Sequence, residues 1–406
     1  MSGDAGEPVV YQVAEYQQIE AALTDDAARR LQGIAGPRLT LSPSPQGYRI
    51  RASSYVGSIS APGVVVHIVP KVPLDNVLHL LTWSTERIAF ATDTVGHAKG
   101  GLTGAVAAWY VRVLERALML GIDRSYIEEA DRLVALRGRI DWPAHARGVG
   151  LPTPIPCRYD EWSLDTRANR IVAAAARVLV RHRAVPQASA FVLRRLLGRL
   201  EGVGPLRSDD LGGAERFLTR LNEHYAGAVR LARIVLHAAG PAHGAGGAAV
   251  SAFLVDMNDA FEDFVFASLQ QRLRGRWGVV KRCVPLDVDS HVRSEPDLLF
   301  TDTSGVNVLV ADCTYKIAHG GRGRTPDYYQ LLAYCTALGL PRGVLVYCDA
   351  GGATTAPPRA IEVRLAGTRL ETFPVHLGGS IADIDGQLDR LADHLYLTGS
   401  TTIDPS

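Results

Sequence analysis

SEPDLLFTDTSGVNVLVADCTYKI, residues 294–317, reads as a β-hairpin with an acid on each strand. Asp297 opens the first short strand behind Pro296, and Asp312 follows 15 residues later at the end of the apolar run VNVLVA. Alternation along the second strand places Val308, Val310, Asp312, Thr314 and Lys316 on one face. A bare carboxylate at the end of such a run is costly to bury. Two aspartates at neighbouring strand ends offset that cost by converging on a divalent cation, and magnesium prefers hard oxygen ligands of this kind. A nearby lysine, here Lys316, would hold a phosphate or orient an attacking water.

The flanking segments supply further polar groups. DMNDAFEDFV (256–265) opens a helix expected over about 256–273. It carries Asn258 and Glu262 at i and i+4 beside an apolar stripe of Met257, Phe261 and Phe264 or Val265. Strands are expected near 279–289, 297–301 and 307–315, then a helix over about 326–338 and a strand at 342–349. That second helix presents Gln330 and Tyr334, again i and i+4, to a phosphate or a base. The fold class expected for residues 252–406 is α/β, a mixed sheet flanked by helices.

Upstream the pattern differs. Residues 1–100 read as β-rich: Tyr48, Ile50 and Ala52 share a face, a Pro-Gly turn at 62–63 follows, and Val64, Val66 and Ile68 repeat the period of two. Residues 101–240 read as a helical region, with helices over 103–121, 165–183 and 188–203 and a helical stretch over 214–239. The Gly-rich residues 241–251 read as a linker.

Bulk properties exclude several classes. The 43 basic and 42 acidic residues nearly cancel, so a nucleic-acid surface has to be local. Five scattered cysteines without CxxC spacing argue against a disulfide framework or a zinc site and for a reducing, cytoplasmic setting. No apolar run is long enough for a membrane helix, and the polar N-terminus lacks the features of a signal peptide. There is no HExxH or GxSxG. There is no Walker A loop, nor any Gly-Lys dipeptide, so the chain is not an NTPase motor.

The order Glu262, Pro296-Asp297, Asp312, Lys316, Gln330, Tyr334 resembles the PD-(D/E)xK nucleases. The chain is further similar to the McrC family, the nuclease subunits of McrBC-type restriction systems. The pieces that carry this likeness are MNDAFEDFV (257–265), PDLLF (296–300), VADCTYK (310–316) and DYYQLLAY (327–334), with IVPKV (68–72), LRGRID (136–141) and PCRYDEWSLDTRANRI (156–171) upstream. The resemblance implies a PD-(D/E)xK nuclease domain behind an N-terminal region that docks on a hexameric, McrB-like AAA+ NTPase, and double-stranded DNA as substrate. It implies Mg²⁺, or Mn²⁺ in its place, held by Asp297, Asp312, Glu262 and the Cys313 carbonyl. Lys316 then assists the nucleophile and Gln330 orients substrate, leaving 3′-hydroxyl and 5′-phosphate ends.

The chain departs from the family pattern at one place. Family members carry lysine two residues after the strand acid, where this sequence has Thr314. Lys316 projects on the same face but roughly 6–7 Å further along. A second reading follows, a catalytically weakened adaptor that binds the AAA+ partner and DNA and regulates NTP hydrolysis. Arg272, Arg274, Arg276, Lys281 and Arg282, with Arg293, form a basic run suited to phosphate contacts, as are Arg322 and Arg324 in the Gly-rich loop. Arg137 and Arg139 stand as a partner surface or a structural brace.

Overall fold

The computed structural model describes residues 8–82, 101–147, 154–212, 217–240, 252–315, 324–349 and 358–400. Lys316, Arg322 and the expected linker 241–251 lie outside the described residues. The chain divides into two compact units. One takes the chain up to Leu102 together with everything from Leu254 onward, and the other is Thr103–Phe253. The N-terminal β-rich segment and the C-terminal α/β segment therefore share a unit.

The C-terminal part of the first unit is a six-stranded mixed sheet. Its spatial order is Gly278–Val280, Leu298–Thr301, Asn307–Thr314, Arg342–Asp349, Arg369–His376 and Arg359–Glu362. Gly278–Val280, Leu298–Thr301 and Asn307–Thr314 pair antiparallel in turn, Asn307–Thr314, Arg342–Asp349 and Arg369–His376 pair parallel, and Arg359–Glu362 is antiparallel to Arg369–His376. Parallel neighbours need a crossover, which the helix Thr325–Leu338 provides between Asn307–Thr314 and Arg342–Asp349. Leu331, Tyr334 and Cys335 of this helix bury against Leu299, Val310, Leu345 and Leu370 of the sheet. Gly343 permits the approach, since a Cβ there would stand 2.7 Å from Cys335 Sγ and 2.9 Å from Leu331 Cγ. The helix Met257–Arg272 buries Phe261, Phe264, Val265 and Leu269, and Phe261 meets the Tyr315 ring.

The hairpin has a local cause. Asp302 accepts hydrogen bonds from the backbone of Ser304 and Val306 and from the Ser304 hydroxyl, and Gly305 takes a φ of 86°. The single strand expected over 279–289 is instead two short ones, Gly278–Val280 and Val284–Pro285. Pro285 lacks an N–H, and Asp287 closes a loop by accepting from the His291 and Val292 amides.

The N-terminal segment supplies two sheets, one ordered Val9–Ala14, Val64–Val69, Tyr55–Ala61 and completed by Ala252–Asp256 from much later in the chain, the other ordered Gln18–Ala21, Gly47–Ala52, Leu39–Ser44. The turn at Pro62-Gly63 joins two of these strands, with Gly63 at φ 78°. Two residues of this segment reach the end of the long hairpin strand. Lys71 lies over the Tyr315 ring, 3.8 Å from its centroid, and its Nζ donates to the Tyr315 carbonyl at 2.6 Å. The Tyr315 hydroxyl donates to Glu15 Oε1 at 2.9 Å, and the Lys71 amide donates to the same oxygen at 2.6 Å.

The second unit holds the helices Arg167–Arg181, Gln187–Gly198 and Ala226–Ala239 and most of Gly101–Leu120. Among the described residues of the stretch expected to be helical over 214–239, α-helix runs over Ala226–Ala239, after a 3₁₀ turn at Glu223–Tyr225. The unit also carries a three-stranded antiparallel sheet, Ser125–Leu133, Ile155–Ser163 and Arg139–Ile140, inside the segment read as helical. These strands are largely exposed and rich in charge, so no buried face marked them in the sequence. DTRANR (165–170) has a structural role: Thr166 caps the helix, and Arg170 is clamped by Asp210 at 2.8 and 2.9 Å with both groups nearly fully buried.

Candidate active site

Register brings the two aspartates together. Leu298 stands opposite Ala311 and Leu299 opposite Val310, so one further step puts Asp297 level with Asp312. Asp297 Oδ2 accepts the Cys313 amide at 2.7 Å. The two carboxyl groups lie close enough to act on each other's protonation. Asp312 is only 7% exposed, and its Oδ1 is buried without a hydrogen-bond partner.

The electrostatics follow. Burial raises the Asp312 carboxyl to about 8, and the charge of Asp297 adds to it, with Asp327 and Glu262 behind. Burial also raises Asp297, to about 6, against the opposing hydrogen bond from the Cys313 amide and with Glu262 adding repulsion. Four acids thus act on one place, and the pair keeps a proton near neutrality. Burial holds the Cys313 thiol protonated.

Glu262 is near enough to raise both aspartates, but its carboxylate is held by Lys281, with Nζ 2.6 Å from Oε1. The three carboxylates do not all lie within 4.8 Å of one another. Among the described residues that condition is met by Asp287, Asp289 and His291 in an exposed loop, where the Asp287 oxygens already accept backbone amides. Asn258 takes part in the helix cap, donating to Asp256. Tyr334 is buried and accepts from Gln330 Nε2 at 2.7 Å. Burial raises its hydroxyl, and both aspartates add to the shift, so this pair borders the site.

The basic run does not act as one surface. Arg272 is mostly buried between Asp389 at 2.7 Å and Asp385 at 3.5 Å, bracing the helix Ile381–Ser400. Arg276 lies 3.5 Å from Asp393 and over the Tyr396 ring. Arg282 donates to Asn307. Arg274 and Arg324 are exposed, Arg324 at the start of the helix Thr325–Leu338. Sequence reasoning passed over Asp327, an acid in that helix's first turn, where capping explains it without any site. It also missed that Lys281 meets Glu262, because the two are joined only by tertiary packing.

A divalent cation suits this donor set. The aspartates offer hard oxygen ligands, one oxygen of Asp312 lacks any partner, and positive charge would relieve the repulsion that now keeps the pair protonated.

Fold and site together define a mixed α/β protein with a paired-carboxylate centre at the mouth of a hairpin. The model of the family described as "McrBC 5-methylcytosine restriction system component" matches residues 50–348, and the chain belongs to that family. The McrC likeness read from the sequence is thereby borne out. Among solved structures, the chain is similar to one from an assembly of Thermococcus gammatolerans McrB AAA+ hexamers with bound McrC. The TM-score is 0.61 at 18% identity, over 95% of this chain and 100% of that one. A second likeness, to the cryo-EM structure of the Thermococcus gammatolerans McrBC complex, has a TM-score of 0.43 at 21% identity, over 65% of this chain and 88% of that one. No curated protein matches. Among the described residues no helix is long and apolar enough to cross a membrane.

Proposed function

We propose that this chain is the DNA-cutting subunit of a two-component, modification-dependent restriction system, a PD-(D/E)xK-type endonuclease that uses Mg²⁺ and works with an AAA+ NTPase hexamer. The observation that carries the reading is the Asp297–Asp312 pair, set face to face by the hairpin register with a buried oxygen lacking a partner. The partner is inferred from the McrB hexamers of the similar assembly.

Asp297 and Asp312 would hold the cation, with Glu262 and the Cys313 carbonyl as further oxygen donors. When bound, a divalent ion lowers the pKa of water and neutralises charge on a phosphate. The chain's own residues do the rest. The Cys313 amide fixes the Asp297 carboxylate, the buried hairpin strands keep the two acids in register, and the Gln330–Tyr334 pair borders the position of the nucleic acid.

The test is cleavage of 5-methylcytosine-containing and unmodified plasmid by the full chain, with and without the AAA+ partner, in Mg²⁺ or EDTA. Cutting that needs modification, partner and metal supports the reading. Cutting that persists in Asp312→Ala overturns it.

Thr314 favours a second reading, an adaptor that binds partner and DNA and tunes NTP hydrolysis without cutting. It sits on the Asp312 face, opposite Tyr347 on the neighbouring strand, and carries no charge. Strong cleavage by the wild-type chain removes that alternative, and a large gain from Thr314→Lys supports it.

A further inference from the structure

We propose that Lys281 is a cation of this centre, serving the scissile phosphate where position 314 carries no lysine. The proposal rests on the nuclease reading above and deepens it.

The strand Gly278–Val280 pairs antiparallel with Leu298–Thr301, Val280 opposite Leu299. Extending that register by one residue sets Lys281 level with Leu298, the residue after Asp297. Lys281 thus leaves the edge strand one residue from the level of the aspartate pair, on the Leu298 face of the sheet, where its ammonium meets Glu262.

Lys281 Nζ lies 2.6 Å from Glu262 Oε1 and 2.9 Å from Asp263 Oδ1, so the helix Met257–Arg272 holds the ammonium from one side. The side chain is still 41% exposed, which leaves it within reach of an incoming ligand. Its charge acts on Asp297 and on Cys313, so it belongs to the field of the centre.

The chain has 43 basic residues, of which only Lys71, Lys99, Lys281 and Lys316 are lysines. Among the described residues the lysines are Lys71 and Lys281, and Lys71 is engaged by the Tyr315 carbonyl. In a chain that otherwise uses arginine, the compact ammonium stands at the carboxylates. An ammonium offers three donors that rotate freely and suits a single phosphate oxygen, whereas guanidinium is a rigid fork. Lys281 donates to a non-bridging oxygen of the phosphodiester while Glu262 and Asp263 hold it in place. No bond is made or broken by the lysine itself.

The experiment compares four full-length chains with the AAA+ partner: wild type, Lys281→Gln, Thr314→Lys and the double variant. Two readouts are taken, cleavage of 5-methylcytosine plasmid in Mg²⁺ and binding of a short DNA duplex in EDTA across a salt series. Lys281→Gln should cut at least a hundredfold more slowly, and Thr314→Lys on that background should restore tenfold or more. In EDTA, the slope of log affinity against log salt should fall by about 0.9 in Lys281→Gln, the loss of one phosphate contact. Undiminished cleavage by Lys281→Gln overturns the proposal, as does a loss of cleavage with an unchanged salt slope. If wild type does not cut at all, the nuclease reading fails, and the EDTA series still decides whether Lys281 meets phosphate.

Discussion

Replacing Asp312 by asparagine should make the metal-free protein more stable at alkaline pH while destroying its centre. The carboxyl is raised from its ordinary 3.8 to about 8, first by burial and then by the charge of Asp297. The native state therefore keeps a proton that the unfolded chain releases near 3.8. Stability from this group is fully present below that value and is lost as pH rises through the folded value near 8. Four units at about 1.36 kcal/mol each set a ceiling on the order of 5 kcal/mol at pH 8.5. Asp297 shares the proton, so part of the penalty remains in the variant, and we expect a gain of roughly 2–3 kcal/mol. The interval from pH 7 to 8.5 lies above the ordinary histidine value and below the ordinary thiol value. Burial lowers His67 and His79, and their contribution is lost only as pH falls through 6.5 and below. Burial raises the thiols of Cys335 and Cys348, which begin to matter near their ordinary 9.0. The assay is urea unfolding of wild type and Asp312→Asn in EDTA across that interval. Wild type should lose stability from pH 7 to about 8 and level off above it, and the variant should stay level throughout. Mg²⁺ should then stabilise wild type, by binding only the folded state, and leave the variant unmoved. Wild-type stability that is flat or rising from pH 7 to 8.5 would refute the account of a protonated, strained pair.

Arg170→Ala should destabilise the Thr103–Phe253 unit by about 3–5 kcal/mol in denaturant melts, because it leaves Asp210 charged, buried and without its partner. Gly343→Ala should cost about 1–3 kcal/mol by pushing the helix Thr325–Leu338 off the sheet, read as a lower denaturant midpoint; an unchanged midpoint would mean that the packing there is loose. Tyr315→Phe should cost about 1–3 kcal/mol at pH 7, since it removes a hydrogen bond from the buried Glu15 carboxylate. Full stability in that variant would show the contact to be idle.

The hairpin and its acids were readable because the evidence for them is local. Alternation marks the strands, Asp302, Ser304 and Gly305 mark the turn, and a spacing of 15 sets Asp297 level with Asp312 once the turn is placed. Glu262, Gln330 and Tyr334 were readable for the same reason, as helical positions beside apolar stripes. What stayed hidden depends on packing between distant segments. Arg272 sits in a basic run, yet its partners Asp385 and Asp389 lie more than a hundred residues away. The strands Ser125–Leu133 and Ile155–Ser163 bury too little to show a period of two. Lys281 looked like one more phosphate contact until tertiary structure set it against Glu262.

IVPKV gains its meaning in the same way. Chemically it offers nothing to a nuclease, and in sequence it lies more than two hundred residues from the acids. In the fold, the Lys71 ammonium caps the carbonyl of Tyr315, three residues beyond Asp312, while Glu15 takes the tyrosine hydroxyl. The strand that carries Asp312 is thus tied at one end by the Asp302 turn and at the other by the N-terminal segment. Burial resists both polar partners: it raises the Glu15 carboxyl and lowers the Lys71 ammonium. Two groups held against such a penalty fix a position more firmly than a solvent-exposed pair, because losing either one leaves the other buried and uncompensated. Packing the N-terminal segment into the same unit as the sheet therefore does mechanical work at the site, holding Asp312 at the level where Asp297 meets it.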